Sequence, residues 1–233
     1  MNSKILVFTA TYNEAKNIDD FIKNFYELGI NADLLIIDDN SPDSTANIIN
    51  KYLREKQNLK LIVRSGKLGL DSAHKDAFNY AKQNKYNILI TMDSDLSHDL
   101  KMIPNFINEI ENSYFIIGSR YIKGGKNGLR GWRLFLSSFG NKFIKFIFKI
   151  DCNEFTTSYR AFNLKKMENF NLNEVNSKGY SFFMETIYLI NSKNYPIKEL
   201  PIFFRERQEG KSKIPKIELL RTFINVLKLK FKL

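Results

Sequence analysis

The sequence predicts an α/β fold: a mostly parallel sheet with helices on both faces. Three observations lead there. The first 120 residues alternate short apolar runs with amphipathic helical patterns. Apart from Lys60 and Thr91 the runs are continuously apolar rather than alternating, as in strands covered on both faces. Acidic or small polar residues stand directly after three of them, at what would be the carboxyl edge of the sheet, where open α/β folds bind ligands.

The first run, 5–8, leads into Thr9-Ala10-Thr11-Tyr12-Asn13-Glu14 and a helical pattern over 16–28. Small polar residues and a tyrosine at a strand-to-helix turn suit a nucleobase or ribose pocket; an ordinary turn with a helix cap is the alternative. The second run, 34–37, ends in Asp38-Asp39-Asn40-Ser41-Pro42-Asp43-Ser44-Thr45, before a helix over 43–56. One of its first two acids is placed to accept hydrogen bonds from a base or ribose, while Asp43 or Ser44 reads as the helix cap. The third run, 59–63, precedes a helix over 70–84. The fourth, 88–92, ends in Asp93-Ser94-Asp95 before a helix over 101–112, and the fifth spans 115–117. This spacing yields right-handed βαβ units. Carboxylates two residues apart leave a strand on the same side. They repel unless a cation lies between them, and Mg²⁺ or Mn²⁺ with a substrate diphosphate completing its shell fits that need. A bare Asp-x-Asp also occurs in surface turns, so the assignment leans on the rest of the chain.

After residue 120 the texture changes. The stretch from Gly124-Gly125 to Gly131 reads as a mobile loop. Residues 132–150 form a basic, aromatic helix with Ser138, Lys142, Lys145 and Lys149 at helical spacing. The segment 215–233 carries Lys228, Lys230 and Lys232 among leucines and phenylalanines. Such amphipathic helices lie in membrane interfaces, unless their apolar faces pack on the domain.

The 233 residues suit one α/β domain, or one domain with a small annex, and 43 % apolar residues suffice for a core. The single cysteine, Cys152, excludes an internal disulfide and fits a reducing compartment. No apolar run approaches a signal peptide or a membrane span, so a cytoplasmic, soluble or peripheral protein is expected. The net charge of +11 is uneven: residues 1–100 carry 12 Lys+Arg against 14 Asp+Glu, and the remainder 24 against 11. A basic half attracts nucleic acid, phosphorylated substrates or acidic lipid. A nucleic-acid-binding protein gives no reason for three acidic strand-end loops.

The ordered motifs resemble glycosyltransferase family 2 enzymes of GT-A fold, and most closely the dolichyl-phosphate (polyprenyl-phosphate) mannosyltransferase type. They are Thr11-Tyr12-Asn13-Glu14, the segment from Asp38 to Asp43, Arg64 with Lys67-Leu68-Gly69-Leu70, and Met92 to His98. Then come Gly118-Ser119-Arg120-Tyr121 with Gly124-Gly125, Trp132-Arg133 with Ser137 and Asn141, and Thr156 to Phe162. Last are Lys178-Gly179-Tyr180 with Glu185, then Pro201-Ile202, Phe204, Arg207, Gly210 and Ser212-Lys213. Singly each is weak; their order across nearly the whole chain carries the resemblance. Departures mark a divergent member: Ala10 where proline is usual, Asp71 and Ala77 where glycines are, Asp99-Leu100 at the end of the Asp-x-Asp motif, and Glu154 and Ser158 for Asp and Gly before Arg160.

The resemblance implies an inverting, metal-dependent hexosyltransferase, with mannose from GDP-mannose passed to a polyprenyl or dolichyl phosphate. Asp93, Asp95 and Ser97 would hold Mg²⁺ or Mn²⁺. Thr11, Tyr12, Glu14, Asp38, Asp39 and Ser94 would line the donor site, with Asp39 the nearer match for the nucleotide. Arg120 and Arg133 would bind the acceptor phosphate and, with Asp95, count as catalytic. Lys178, Arg207 and Lys213 would embrace the donor diphosphate. His74 and His98 read as structural. The implied division is a nucleotide-sugar half over 1–120, an acceptor half over 121–213 and a basic amphipathic tail over 214–233. The implied place is the inner membrane face, in cell-envelope glycan synthesis. Family members often carry membrane helices, so their absence points to a separate membrane protein as partner. The alternative is a UDP-sugar-dependent relative acting on a polyprenyl phosphate, or on a hydroxyl of a lipid-linked or cell-surface glycan. A hydroxyl would need a carboxylate base such as Glu185.

Overall fold

The computed structural model describes residues 3–205 and 216–231, without the side chains of 216–223. The strands are β1 (Ile5–Thr11), β2 (Asp33–Asp38), β3 (Leu59–Val63), β4 (Ile88–Asp93), β5 (Phe115–Ser119), β6 (Lys126–Asn127), β7 (Arg160–Asn163), β8 (Ile197–Pro201) and β9 (Phe203–Phe204). The helices are α1 (Ile18–Glu27), α2 (Thr45–Leu53), α3 (Leu70–Gln83), α4 (Ile103–Ile110), α5 (Gly131–Phe148), α6 (Tyr180–Ser192) and α7 (Lys216–Phe231).

Seven strands form one sheet in the order β3-β2-β1-β4-β7-β5-β8. All neighbours are parallel except β7, which runs antiparallel between β4 and β5. Alternate residues of each strand enter opposite cores, as the pleat requires. Leu6, Phe8, Leu35, Ile37 and Leu89 face α3, α5 and α6, whereas Val7, Leu34, Ile36, Ile88 and Ile90 face α1, α2 and α4. Each fully buried side chain of this size contributes ~1.5–3 kcal/mol. This two-sided burial explains the unbroken apolar runs at 5–8 in β1, 34–37 in β2 and 88–90 in β4.

Two expectations are corrected, and a third, the cap of α2, is narrowed to Asp43. The Asp-x-Asp segment does not continue as a strand: β4 ends at Asp93, and Leu96 takes a left-handed φ of 60°. A turn, not strand periodicity, therefore places Asp95. The glycine-rich stretch is not simply an open loop. β6 pairs in parallel with β9, and a Cβ on Gly125 would stand 2.6 Å from the Ser119 carbonyl oxygen, so only glycine fits there. At the start of α2, Ser44 has a φ of 69° and makes no side-chain cap. The Asp43 carboxylate instead accepts from the amides of Thr45 and Ala15.

The basic tail is docked on the body. α7 packs on α5 and α6, burying Val226, and Asn225 donates to the Ser181 hydroxyl at 3.0 Å. Among the described residues no helix is long and apolar enough to cross a membrane.

Candidate active site

The strand register sets the first part of the site. Thr11 is level with Asp38 and Ala10 with Asp93, so β1, β2 and β4 end along one rim. Asp38 is fully buried and accepts from the Thr11 hydroxyl at 2.7 Å and from the Ser41 amide and hydroxyl at 2.8 and 2.6 Å. It thus binds the first two strand-end loops to each other. Asp39 pairs with the buried Arg64, whose Nε donates at 2.5 Å, and accepts from the Gly69 amide at 3.0 Å. Arg64 also donates to the Ser72 hydroxyl and the Gly69 carbonyl, drawing the N-terminus of α3 to the rim. Tyr12 is half-buried, with Lys67 Nζ 4.2 Å from its ring centre. Glu14 accepts from the Asn17 side chain, and its amide donates to Thr45 Oγ1.

The second part is the turn after β4. Asp93 is partly exposed, and its Oδ1 accepts from the Ser158 hydroxyl at 2.7 Å. Its amide donates to His98 Nδ1 at 3.2 Å. An amide can only donate, so Nδ1 is unprotonated, and the neutral ring carries its proton on Nε2, 3.2 Å from the Thr157 hydroxyl. Burial drives the His98 pKa below its ordinary value; the nearby carboxylates of Asp93 and Asp95 oppose the shift without reversing it. His98 is structural, packed against Tyr159 and Phe204. Ser94 donates to the Ala10 carbonyl, and Asp95 Oδ1 accepts from the Ser97 amide at 3.1 Å. The Ser97 hydroxyl is buried and has no hydrogen-bond partner among the described residues. Among those residues no group of three or more His, Cys, Asp and Glu side chains could cage a metal. Two carboxylates with an unsatisfied hydroxyl beside them fit a hard divalent cation that keeps most of its shell for water and phosphate oxygens.

The third part is Arg120, directly after β5. Its Nε and Nη2 make a fork to the buried Glu154 carboxylate at 2.7 and 2.8 Å, and Nη2 also reaches Thr156 Oγ1 at 2.8 Å. Burial alone would push the Glu154 carboxyl up. The guanidinium and the two hydrogen bonds from Thr156 prevail and hold it below the usual carboxylate range. Arg120 lines a cleft of about 630 Å³ with Tyr121, Asn127, Leu134, Phe135 and Ser138. Arg133 is exposed in the first turn of α5. Exposed Lys178 sits in a loop pinned by two acids: Glu185 accepts from the Asn176 and Ser177 amides, and Asp71 from the Gly179 amide. Arg207 and Lys213 lie outside the described residues.

The structure thus brings Thr11, Asp38, Asp39, Asp93, Asp95 and Ser97 to one rim and joins that rim to Arg120. The joining residues run Asp93–Ser158, His98–Thr157 and Arg120–Glu154 through the single segment 154–158. Fully buried Arg160 anchors that segment, with Nε to the Thr157 carbonyl and Nη2 to the Phe155 carbonyl. Glu154, Ser158 and Arg64 are the site residues that a residue-by-residue reading assigns no role. Their signal in the sequence was position: two stand where the motif departs from its usual residues, and the third follows a strand.

The glycosyl transferase family 2 model matches residues 6–170. The chain is 30 % identical over 216 residues to a polyprenol monophosphomannose synthase of Mycolicibacterium smegmatis, covering 91 % of this chain and 81 % of that protein. It is 28 % identical over 214 residues to an undecaprenyl-phosphate mannosyltransferase of Micrococcus luteus, covering 91 % and 87 %. Among solved structures, glucosyl-3-phosphoglycerate synthase from Mycobacterium tuberculosis, in complex with Mn²⁺, UDP and glucosyl-3-phosphoglycerate, superposes with a TM-score of 0.69 at 14 % identity. The match covers 98 % of this chain and 80 % of that one, a likeness of GT-A fold.

Proposed function

Because the chain belongs to glycosyl transferase family 2 and is a glycosyltransferase, we propose that it transfers mannose from GDP-mannose to a polyprenyl phosphate at the membrane surface, with inversion. The cleft at Arg120, joined to the acidic rim through the segment 154–158, carries this reading. A buried arginine stands among apolar Leu134 and Phe135, and the exposed rings of Trp132, Phe135 and Phe139 continue outward along α5. A phosphate on a long apolar chain presents that pair of chemistries. The names of the two relatives support the same acceptor class and sugar.

In this reading Asp93, Asp95 and Ser97 would hold a divalent cation beside the donor diphosphate. That cation would neutralise the charge arising on the departing oxygen. The bond between the anomeric carbon and the diphosphate oxygen breaks, and the electron pair leaves with the nucleoside diphosphate. An acceptor phosphate oxygen forms the new bond from the opposite face. It is already anionic, so no proton has to be removed. Glu185, the acid that a hydroxyl acceptor would call on, is engaged with two backbone amides. Arg120 is paired with Glu154; in this reading Arg133 lies toward the acceptor phosphate and Lys178 toward the donor diphosphate. The rim at Tyr12 and Asp39 takes the nucleoside.

The test is incubation of pure protein with radiolabelled GDP-mannose, UDP-glucose or UDP-N-acetylglucosamine, with a polyprenyl phosphate or, in parallel, a lipid-linked glycan, and Mg²⁺ or Mn²⁺. Lipid-extractable label from GDP-mannose is the expected result. Label from a UDP-sugar alone would replace the donor, and label only on a glycan hydroxyl would replace the acceptor.

A further inference from the structure

We infer that Ser158 is a positioning residue for Asp93, setting which carboxylate oxygen the rim presents to a divalent cation. The inference rests on the reading of Asp93 as a ligand and goes beyond it, to a residue outside the Asp-x-Asp motif. Ser158 is 65 residues away in sequence, in a segment that reaches the end of β4 only because antiparallel β7 follows it.

The geometry is specific. Ser158 is 3 % exposed, and its backbone is fixed by the Thr91 hydroxyl, which donates to the Ser158 carbonyl at 2.5 Å. Its own hydroxyl donates to Asp93 Oδ1 at 2.7 Å. The Asp93 backbone is held independently by the bond from its amide to His98. With main chain and Oδ1 both fixed, rotation about the last side-chain bond is blocked, and Oδ2 is left for a ligand. With Oδ1 engaged this way, Asp93 would offer a divalent cation its other oxygen, Oδ2. The glycine usual at this position in the family has no group to make this bond, so the device belongs to this chain. Outer partners of this kind typically change metal affinity 10–100-fold.

The experiment titrates Mn²⁺ into the full-length protein with GDP present, and in parallel with UDP, and follows free Mn²⁺ by electron paramagnetic resonance. Wild type, Ser158→Ala and Ser158→Gly are compared. Binding of the nucleotide without metal and thermal unfolding are measured alongside. The expected result is Mn²⁺ binding about tenfold weaker in both variants, with metal-free nucleotide binding unchanged. Ser158→Gly keeps the test open if the alanine variant misfolds. Mn²⁺ affinity equal to wild type, with or without a loss of thermal stability, would overturn the positioning role and leave the proposed function standing. No Mn²⁺ binding by wild type with either nucleotide would overturn the reading of Asp93 as a ligand and this inference with it.

Discussion

At the acidic rim, Thr11, Asp38, Asp39 and Asp93 are each held by another residue of the site. On α5, Trp132, Phe135, Phe139 and Phe146 stand in solvent, with relative exposures of 68, 55, 57 and 78 %. The first three rings stack along a stripe that continues to Phe143, with successive centroids 5.3, 5.9 and 6.4 Å apart. The opposite face of the same helix, at Asn141, Ile144 and Phe148, is buried. The difference teaches what each region is built to meet. A small charged ligand gains from dipoles fixed before it arrives. An apolar partner needs only area not already covered.

The largest effect that would test the rim is Asp95→Asn. Loss of a charged ligand removes transition-state stabilisation worth several kcal/mol, so transfer should fall by more than about 100-fold with an unchanged circular dichroism spectrum. Near-normal turnover at saturating Mg²⁺ and Mn²⁺ would dissolve the distinction between a rim that does chemistry and one that merely folds.

Glu154→Gln probes the joint between the regions. It leaves the buried Arg120 guanidinium without its counter-charge, which typically costs about 3–5 kcal/mol. The expected outcome in urea unfolding is a lower midpoint with an unchanged slope. Arg120→Met combined with Glu154→Leu should recover much of that stability while transfer to the acceptor stays lost. Recovery of both would remove Arg120 from the site.

Beneath the rim, His74 is enclosed by Phe8, Phe182 and Phe183. Burial, assisted by the Arg160 charge, pushes its pKa down to about 3. The unfolded chain binds this proton near pH 6.5 and the folded chain does not, so stability is full above that pH and falls as pH drops from about 6.5 toward 3. Between pH 7 and 5 this group alone removes about 2 kcal/mol. His74→Phe should flatten that part of the curve. An unchanged pH dependence would show that the carboxylates, not His74, set it.

Arg133→Ala sharpens the contrast from the basic side. It should raise the KM for polyprenyl phosphate about tenfold, the loss of one charge-assisted phosphate contact, and leave the KM for the nucleotide-sugar unchanged. The reverse pattern would move Arg133 to the donor.

The two regions also differ in how far the sequence discloses them. Strands β1 to β5 were legible because each is a local apolar run, and the helices between them because each buries one stripe. β7 was not: it is Arg-Ala-Phe-Asn, and its arginine is buried only because the carbonyls of Phe155 and Thr157 receive it. α6 buries residues around most of its circumference, including Ser181, Glu185 and Thr186, so no polar stripe announces it. β8, with lysine and glutamate in its middle, is an edge strand. In the site, motif order disclosed Asp93, Asp95 and Arg120. The partners that orient them, Ser158 and Glu154, are 65 and 34 residues away and come near only through the fold. The aromatic content of α5 was visible, but which rings face outward depends on α6 and α7 covering the other side.

The smallest expected effect concerns that outward face. Lys142 and Lys149 are exposed beside the aromatic stripe, while Lys145 is turned to Asp151 and Asn153. Aromatic rings at an interface gain by burying area in the acyl boundary, and the lysines add a salt-screened attraction to acidic headgroups. The proposed acceptor, a long lipid phosphate, cannot leave the bilayer cheaply, at about 0.8 kcal/mol per CH₂ exposed, so under the proposed function the cleft at Arg120 should meet the membrane surface. Flotation with anionic liposomes should recover the protein at low salt and less of it at high salt, where the lysine term is screened. Phe135→Ser with Phe139→Ser should lower the floated fraction further, with thermal stability unchanged because neither ring is buried. Unchanged flotation of that double variant would leave the lysines as the whole attraction. A wild type that never floats, while active on a detergent-dispersed acceptor, would assign the stripe to a membrane protein partner.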